Sequence, residues 1–259
     1  MKKIKLITIL LTSFLLVSCS NTSPDPQTAS PAPELGTALD LAVKKELLDI
    51  SLQTDINQEI TLNNFKDKTI VITPIFTSCD DICPLAAANF KAAQEAIEKA
   101  KVNEKIALLL ISIDPKRDTP ERLNEYRKKL KLNDSIYLLT GSEANLNTFW
   151  DGFGLAREIT EITEESEHSH NDSKDWYTGE EITYEIVHSD GLFFISPDQK
   201  LKFLRLGLPD VSTIQVGQET KDFLNDEVVA NLAKAVPGGW QAQDVVRILS
   251  WMLNTAIYI

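Results

Sequence analysis

The sequence predicts an α/β fold, a central mixed sheet flanked by helices, and three features carry that expectation. Two apolar, β-branched-rich runs, Lys68 to Phe76 and Lys105 to Ile113, have the composition of strands covered on both faces. Each is followed by a segment of helical spacing with its own start signal, Pro84 in one case and Asp118-Thr119-Pro120-Glu121 in the other. Toward the C-terminus, Leu192 to Ser196 and Leu201 to Leu206 are joined by the turn Pro197-Asp198-Gln199-Lys200 and read as a hairpin.

Taken in order, the chain opens on Lys2, Lys3 and Lys5, runs apolar from Leu6 to Val17 and closes that run at Leu16-Val17-Ser18-Cys19. This is an export signal over residues 1–18 rather than a fold element. Its last four residues resemble the lipobox of bacterial lipoproteins, in which the cysteine is lipidated and becomes the mature N-terminus. That resemblance implies a protein of the bacterial cell envelope, outside the cytoplasm and anchored to a membrane through Cys19. Residues 19–40 follow as a tether: Ser20 to Pro33 holds four prolines and little apolar content, and at roughly 3 Å per residue it would reach ~40 Å from the bilayer. Loss of the three leader lysines leaves 23 basic residues against 38 acidic ones, a net charge of −15. Such a charge disfavours a nucleic-acid partner.

The folded part is expected over residues 41–235, with a helical extension at 236–259. The alternation Leu48, Ile50, Leu52, followed by Glu59-Ile60-Thr61-Leu62, reads as a strand or hairpin leading into the domain. In Lys68 to Phe76, Pro74 cannot donate to a ladder and argues for a bulge or a strand end. Leu85 to Lys101 is a helix started by Pro84, and Lys105 to Ile113 a central strand. A second helix runs to Leu130, Ser135 to Leu139 is a short strand, and Ser142 to Phe153 a third helix. Glu158 to Glu185 is acidic and poor in aliphatics, which predicts an exposed loop insertion. Ile182 to Val187 starts the last group of strands, and helices are expected over Glu219 to Ala235 and Gln241 to Asn254, separated by Pro237-Gly238-Gly239. The closing stretch Ile248 to Ile259 is too short to span a bilayer, so Trp251 and Leu253 read as packing residues. Strands alternating with helices, then a terminal hairpin and helix, fit a thioredoxin-like fold with an acidic insertion.

Chemistry concentrates at Thr77-Ser78-Cys79-Asp80-Asp81-Ile82-Cys83-Pro84. Cysteines four apart at a strand-to-helix junction would share one helix face, with Cα atoms about 6 Å apart. That geometry suits a shared soft metal, a redox-active disulfide or a plain structural disulfide, and a helix N-terminus favours thiolates. A plain disulfide across so short a loop would stabilise little. The chain has three histidines. His188 lies between two predicted strands, where a sheet could hold it over a helix start. His168 and His170 sit in an acidic run, where a solvated loop is the bland reading and an auxiliary metal-loading tract the sharper one.

Cys79-x-x-x-Cys83-Pro84, then Ser112-Ile113-Asp114-Pro115-Lys116-Arg117-Asp118-Thr119-Pro120, then Val187-His188-Ser189 with Phe193-Phe194-Ile195-Ser196-Pro197-Asp198, together resemble the Sco/SenC family. The likeness extends over roughly Leu47 to Leu206. It implies a membrane-anchored, thioredoxin-like copper chaperone that binds Cu(I) or Cu(II) through Cys79, Cys83 and His188 and serves the dinuclear copper site of cytochrome c oxidase. Its implied partners are the copper-site subunit of the oxidase and other copper chaperones or thiol reductants. Asp81 matches an acid between the family's cysteines, while Asp114 and Asp118 match a loop of structural role. Two thiolates and an imidazole suit copper by softness, and an exposed three-ligand site leaves room for ligand exchange with a partner. The same Cys79 and Cys83 would serve a thiol-disulfide oxidoreductase, the alternative function, which has no strict need of His188. A peroxidase is disfavoured because Pro74, five residues before Cys79, does not resemble the Pro-x-x-x-Thr-x-x-Cys pattern of peroxiredoxins. Asp80, Pro74 within the strand, Val187 and the long insertion depart from the usual family pattern.

Overall fold

The computed structural model describes residues 33–162 and 174–259; Cys19, His168 and His170 lie outside them. The elements in chain order are β1 (Thr37–Ala42), α1 (Lys45–Leu48), β2 (Leu52–Thr54), β3 (Glu59–Ile60), β4 (Thr69–Ile75), α2 (Ile82–Lys99) and β5 (Ile106–Ser112). They continue as α3 (Pro120–Leu130), β6 (Ile136–Thr140), α4 (Glu143–Phe153), β7 (Arg157–Glu161), β8 (Tyr184–His188), β9 (Gly191–Ile195), β10 (Lys200–Leu206), α5 (Gln218–Lys221), α6 (Asp226–Asn231) and α7 (Ala242–Leu253).

Eight strands form one mixed sheet in the order β1-β10-β9-β4-β5-β6-β2-β3, while β7 and β8 pair separately. The centre, β4-β5-β6, is parallel, and the flanking pairs are antiparallel. All seven positions of β4 and all seven of β5 are buried, which is what their unbroken apolar runs require of strands covered on both faces. The fold is thioredoxin-like, as expected.

Helix boundaries follow local chemistry. The Thr119 hydroxyl accepts from the Arg122 amide at the start of α3, a cap worth ~1 kcal/mol. Ser142 does the same for α4, which stops at Gly154, whose φ of +74° suits a residue without a Cβ. α2 starts at Ile82 rather than after Pro84, so Cys83 lies in its first turn.

Several segments differ from the sequence expectation. Pro74 causes neither bulge nor strand end: it stays in register opposite Ile111, and β4 continues to Ile75. The reason is geometric. Ile75 turns its backbone toward β5, where its carbonyl accepts from Ile113, so Pro74 turns toward β9, beyond the last β4–β9 pair at Ile72 and Phe193. No ladder bond is lost there. Leu47 and Leu48 belong to a helical turn, with β2 and β3 forming the expected hairpin after it. Thr37 to Ala42, at the end of the predicted tether, forms an edge strand on β10. Glu219 to Ala235 is not one helix. Asn225 interrupts it and caps the short α6, its side chain accepting from the Val228 amide.

The C-terminal helix belongs to the main core. Val245, Val246, Ile248 and Leu249 of α7 are buried with the sheet residues, Trp251 meets Phe203 edge-on at 6.2 Å, and Trp240 is fully buried at 6.1 Å from Phe90 of α2. Among the described residues no helix is long and apolar enough to cross a membrane.

Candidate metal centre

β4 delivers the chain to the dithiol, and α2 carries it away. Cys79 lies on the connecting loop and Cys83 one helical turn further on, and both are free thiols. The Cys83 amide donates to Cys79 Sγ at 3.4 Å, and the Phe76 amide donates to Cys83 Sγ at 3.4 Å. The cysteines therefore face one another as the four-residue spacing predicts, but they are not exposed. Only 9% of Cys79 and 1% of Cys83 reach solvent, because the loop is covered by segments distant in sequence.

Burial separates the two thiols electrostatically. Cys79 is held below the ordinary thiol value because the Cys83 thiol and backbone donate to it, which outweighs its desolvation. Cys83 is pushed well above that value by burial and by its contact with Cys79. A helix N-terminus favours thiolates, yet Cys79 alone is held low, chiefly by the Cys83 thiol with the amides at the start of α2 adding to it, while Cys83 sits too deep.

The loop ahead of Cys79 rests on buried polar groups. Asp118 accepts from the Thr77 amide at 3.2 Å, from the Thr77 hydroxyl at 2.5 Å and from the Ser112 hydroxyl at 2.6 Å. Burial, with the charge of Asp114 adding to it, pushes its carboxyl up to about 6. Asp114 accepts from the Tyr184 hydroxyl at 2.7 Å and pairs with Arg117. Both acids are tied into the loops around the dithiol by these bonds. Asp81 borders the pocket above Cys79, and partial burial raises its carboxyl.

His188 ends β8 opposite Arg157 and lines the same pocket as Cys79, a cavity of about 550 Å³. Its Nδ1 lies 2.9 Å from the Ser189 carbonyl, which requires the proton on Nδ1 and leaves the lone pair on Nε2. That Nε2 is buried and has no hydrogen-bond partner among the described residues. Burial also depresses the imidazolium, keeping the ring neutral. The ring meets Phe76 edge-on at 5.9 Å. Two adjoining sulfurs and an orphaned imidazole nitrogen fit a soft metal by donor chemistry. Among the described residues, no three His, Cys, Asp or Glu side chains are drawn together tightly enough to hold a metal as they stand. Cys83 is hydrogen-bonded to Cys79, and His188 lines the same pocket as Cys79.

Sequence reasoning missed the residues that cover this site. The acidic stretch taken as an exposed loop is paired at its flanks as β7 and β8, and it sends Asp175 and Trp176 inward. Trp176 Nε1 donates to the Thr77 carbonyl at 2.7 Å, and the Ser78 hydroxyl donates to Asp175 at 2.9 Å. Arg122 of α3, 2% exposed, donates to the hydroxyls of Thr77 and Ser78 and grips Asp175 with both Nη atoms. From the other side, the Asn225 amide donates to the Asp80 carbonyl at 2.9 Å. One signal was present: Trp176-Tyr177 is an aromatic pair inside an otherwise polar run, and aromatic rings rarely stay in water without cause.

A model of the SCO1/SenC family matches residues 48–205. The SCO2-like protein of Rickettsia felis is 40% identical over 78 residues, which cover 30% of this chain and 36% of that one. The matches to the first curated relatives thus span little more than a third of those relatives' own length. The SCO1 protein homolog of Bacillus subtilis is 22% identical over 158 residues, 60% of this chain and 71% of its own. Among solved structures, apo Sco1 of Thermus thermophilus superposes with a TM-score of 0.50 at 25% identity, covering 76% of this chain and 94% of that one.

Proposed function

The chain belongs to the SCO1/SenC family, and we propose that it is an extracytoplasmic copper chaperone, held to a membrane by lipidated Cys19, whose cargo goes to the dinuclear copper site of cytochrome c oxidase. The observation that carries this reading is the shared pocket of Cys79 and His188, with Cys83 hydrogen-bonded behind Cys79 and His188 Nε2 unspent. Copper is the substrate of such a protein. Cys79 and Cys83 supply soft sulfur donors, and His188 supplies Nε2, which is the lone-pair nitrogen because Nδ1 carries the proton toward Ser189 while burial keeps the ring neutral. Three protein ligands leave a coordination position for a donor on the receiving subunit, so the ion passes by exchange of ligands rather than by release into water. Because no three such ligands stand together among the described residues, a closed ligand set needs the β8 end or the Cys79 loop to move inward.

Copper titration of the reduced protein and of the Cys79→Ala, Cys83→Ala and His188→Ala variants tests this. One ion per chain is expected for the wild type, with affinity lost in each variant. Unchanged stoichiometry and affinity in all three would sink the proposal. In cells, loss of the protein should lower oxidase activity, and added copper should restore it.

The unequal thiols favour a second reading, a thiol-disulfide oxidoreductase that keeps exported cysteines reduced. A depressed Cys79 would attack, and a buried Cys83 would resolve the mixed disulfide. His188→Ala separates the two: it abolishes copper retention and leaves reductase turnover intact.

A further inference from the structure

Cys83 is carried by α2 and moves only with that helix, whereas Cys79 lies outside it, on a loop fixed by what the loop touches. Two of those contacts come from the insertion between β7 and β8, almost a hundred residues later in the chain. Asp175 accepts from the Ser78 hydroxyl at 2.9 Å, and Trp176 donates to the Thr77 carbonyl at 2.7 Å. Asp175 is itself secured by Arg122 and by the amides of Tyr177 and Thr178 at 3.0 and 2.9 Å. The Trp176 ring is wedged between Phe223 at 5.2 Å and Tyr126 at 6.1 Å, under the Arg122 guanidinium at 5.2 Å.

We propose that Asp175 and Trp176 are positioning residues of the dithiol, fastening the Thr77–Ser78 peptide so that Cys79 stands beside Cys83 as a free thiol pair. A hydrogen-bonded pair of thiols is farther apart than the ~2.05 Å of a disulfide bond, so oxidation draws the Cys79 loop inward. The Asp175–Trp176 strap opposes that movement. Its loss therefore favours the disulfide and makes the couple more reducing. This deepens the copper-site reading and rests on it for its purpose, since a metal site built on thiols must resist oxidation before loading.

The test uses the full, copper-free chain equilibrated in glutathione buffers, with thiol and disulfide counted by mass after alkylation. In this exchange the two protein thiols lose two electrons and two protons and one S–S bond forms. One S–S bond breaks in glutathione disulfide, which leaves as two glutathione thiols. Trp176→Phe deletes the donor and keeps a ring; Asp175→Ala deletes the acceptor. Each is expected to raise the disulfide-to-dithiol ratio roughly tenfold at a given buffer, a shift of about 30 mV to more negative potential. Trp251→Phe, on α7 against Phe203 and outside the lining of the Cys79 pocket, controls for loss of an indole and should leave the potential unchanged. A shift of at least threefold toward disulfide in either strap variant, absent from Trp251→Phe, supports the proposal. A smaller shift in both, or one in the opposite direction, overturns it, even if both variants melt earlier. Wild-type protein that takes up no copper would sink the copper reading and leave this measurement to stand or fall alone.

Discussion

Arg122 and Asp175, 53 residues apart, form a bidentate ion pair beneath the cysteine loop, with Nη1 to Oδ1 at 2.9 Å and Nη2 to Oδ2 at 2.5 Å. Both side chains are nearly closed to solvent, 2% and 6% exposed. Such a pair gains little over apolar packing, but removing one member strands the other charge. Asp175→Ala should lower unfolding free energy by about 3–5 kcal/mol, the usual cost of breaking a buried pair. Chemical denaturation checks it. A cost below ~1 kcal/mol would mean that Thr77, Ser78 and Asp118 suffice to neutralise Arg122.

Two of the buried carboxylates, Asp118 and Asp175, titrate in opposite directions. Burial pushes Asp118 up to about 6, so its folded state holds a proton more tightly than the unfolded chain. Its contribution to stability is full below about pH 4 and lost as pH rises through 6, on the order of 1–3 kcal/mol in all. Asp175 behaves conversely. Burial raises it, but Arg122, Thr178 and Ser78 outweigh that and hold it well below the usual carboxylate range. Its contribution is present above about pH 4 and disappears as pH falls further. For these two groups stability should peak between about pH 4 and 6. Unfolding curves of Asp118→Asn should show a smaller loss between pH 4.5 and 6.5 than the wild type, the remainder coming from Asp190, which burial pushes up to about 7.

The thiols should not react alike. Alkylation of the reduced protein near pH 7.5, followed by peptide mass analysis, should mark Cys79 at least tenfold faster than Cys83. The first has a stabilised thiolate at the edge of a pocket, whereas the second is 1% exposed. Equal rates would remove the basis for assigning them different roles in exchange.

The C-terminal helix is not dispensable. Trp240 is fully buried against Phe90, and its backbone also engages Asn89 and Asp210. Trp240→Ala should cost about 3–5 kcal/mol. Ending the chain before Trp240 should abolish cooperative unfolding, followed by circular dichroism.

What the sequence made legible is what local rules govern. The apolar runs of β4 and β5, the Thr119 and Ser142 caps, and the approach of Cys79 to Cys83 at the start of α2 each depend on a few adjacent residues. What escaped depends on partners far away. Pro74 fits because β9 has stopped pairing one side of β4, a fact no reading of β4 alone contains. Burial of the dithiol arises because Asp175, Trp176 and Asn225 return to residues 77–80 from later segments. The acidity around Asp175 and Trp176 hid that return, since a charged segment can still aim two side chains inward.

Trp176 also has an optical consequence. Its indole is hydrogen-bonded to the residue two places before Cys79 and is only partly buried, whereas Trp150 and Trp240 are sealed in the core. Any displacement of the cysteine loop alters the polarity and hydrogen bonding around this one chromophore. The protein thus carries its own fluorescent gauge, in which a change of emission wavelength on loading or oxidation, lost in Trp176→Phe, reports the state of the sulfurs without an added label.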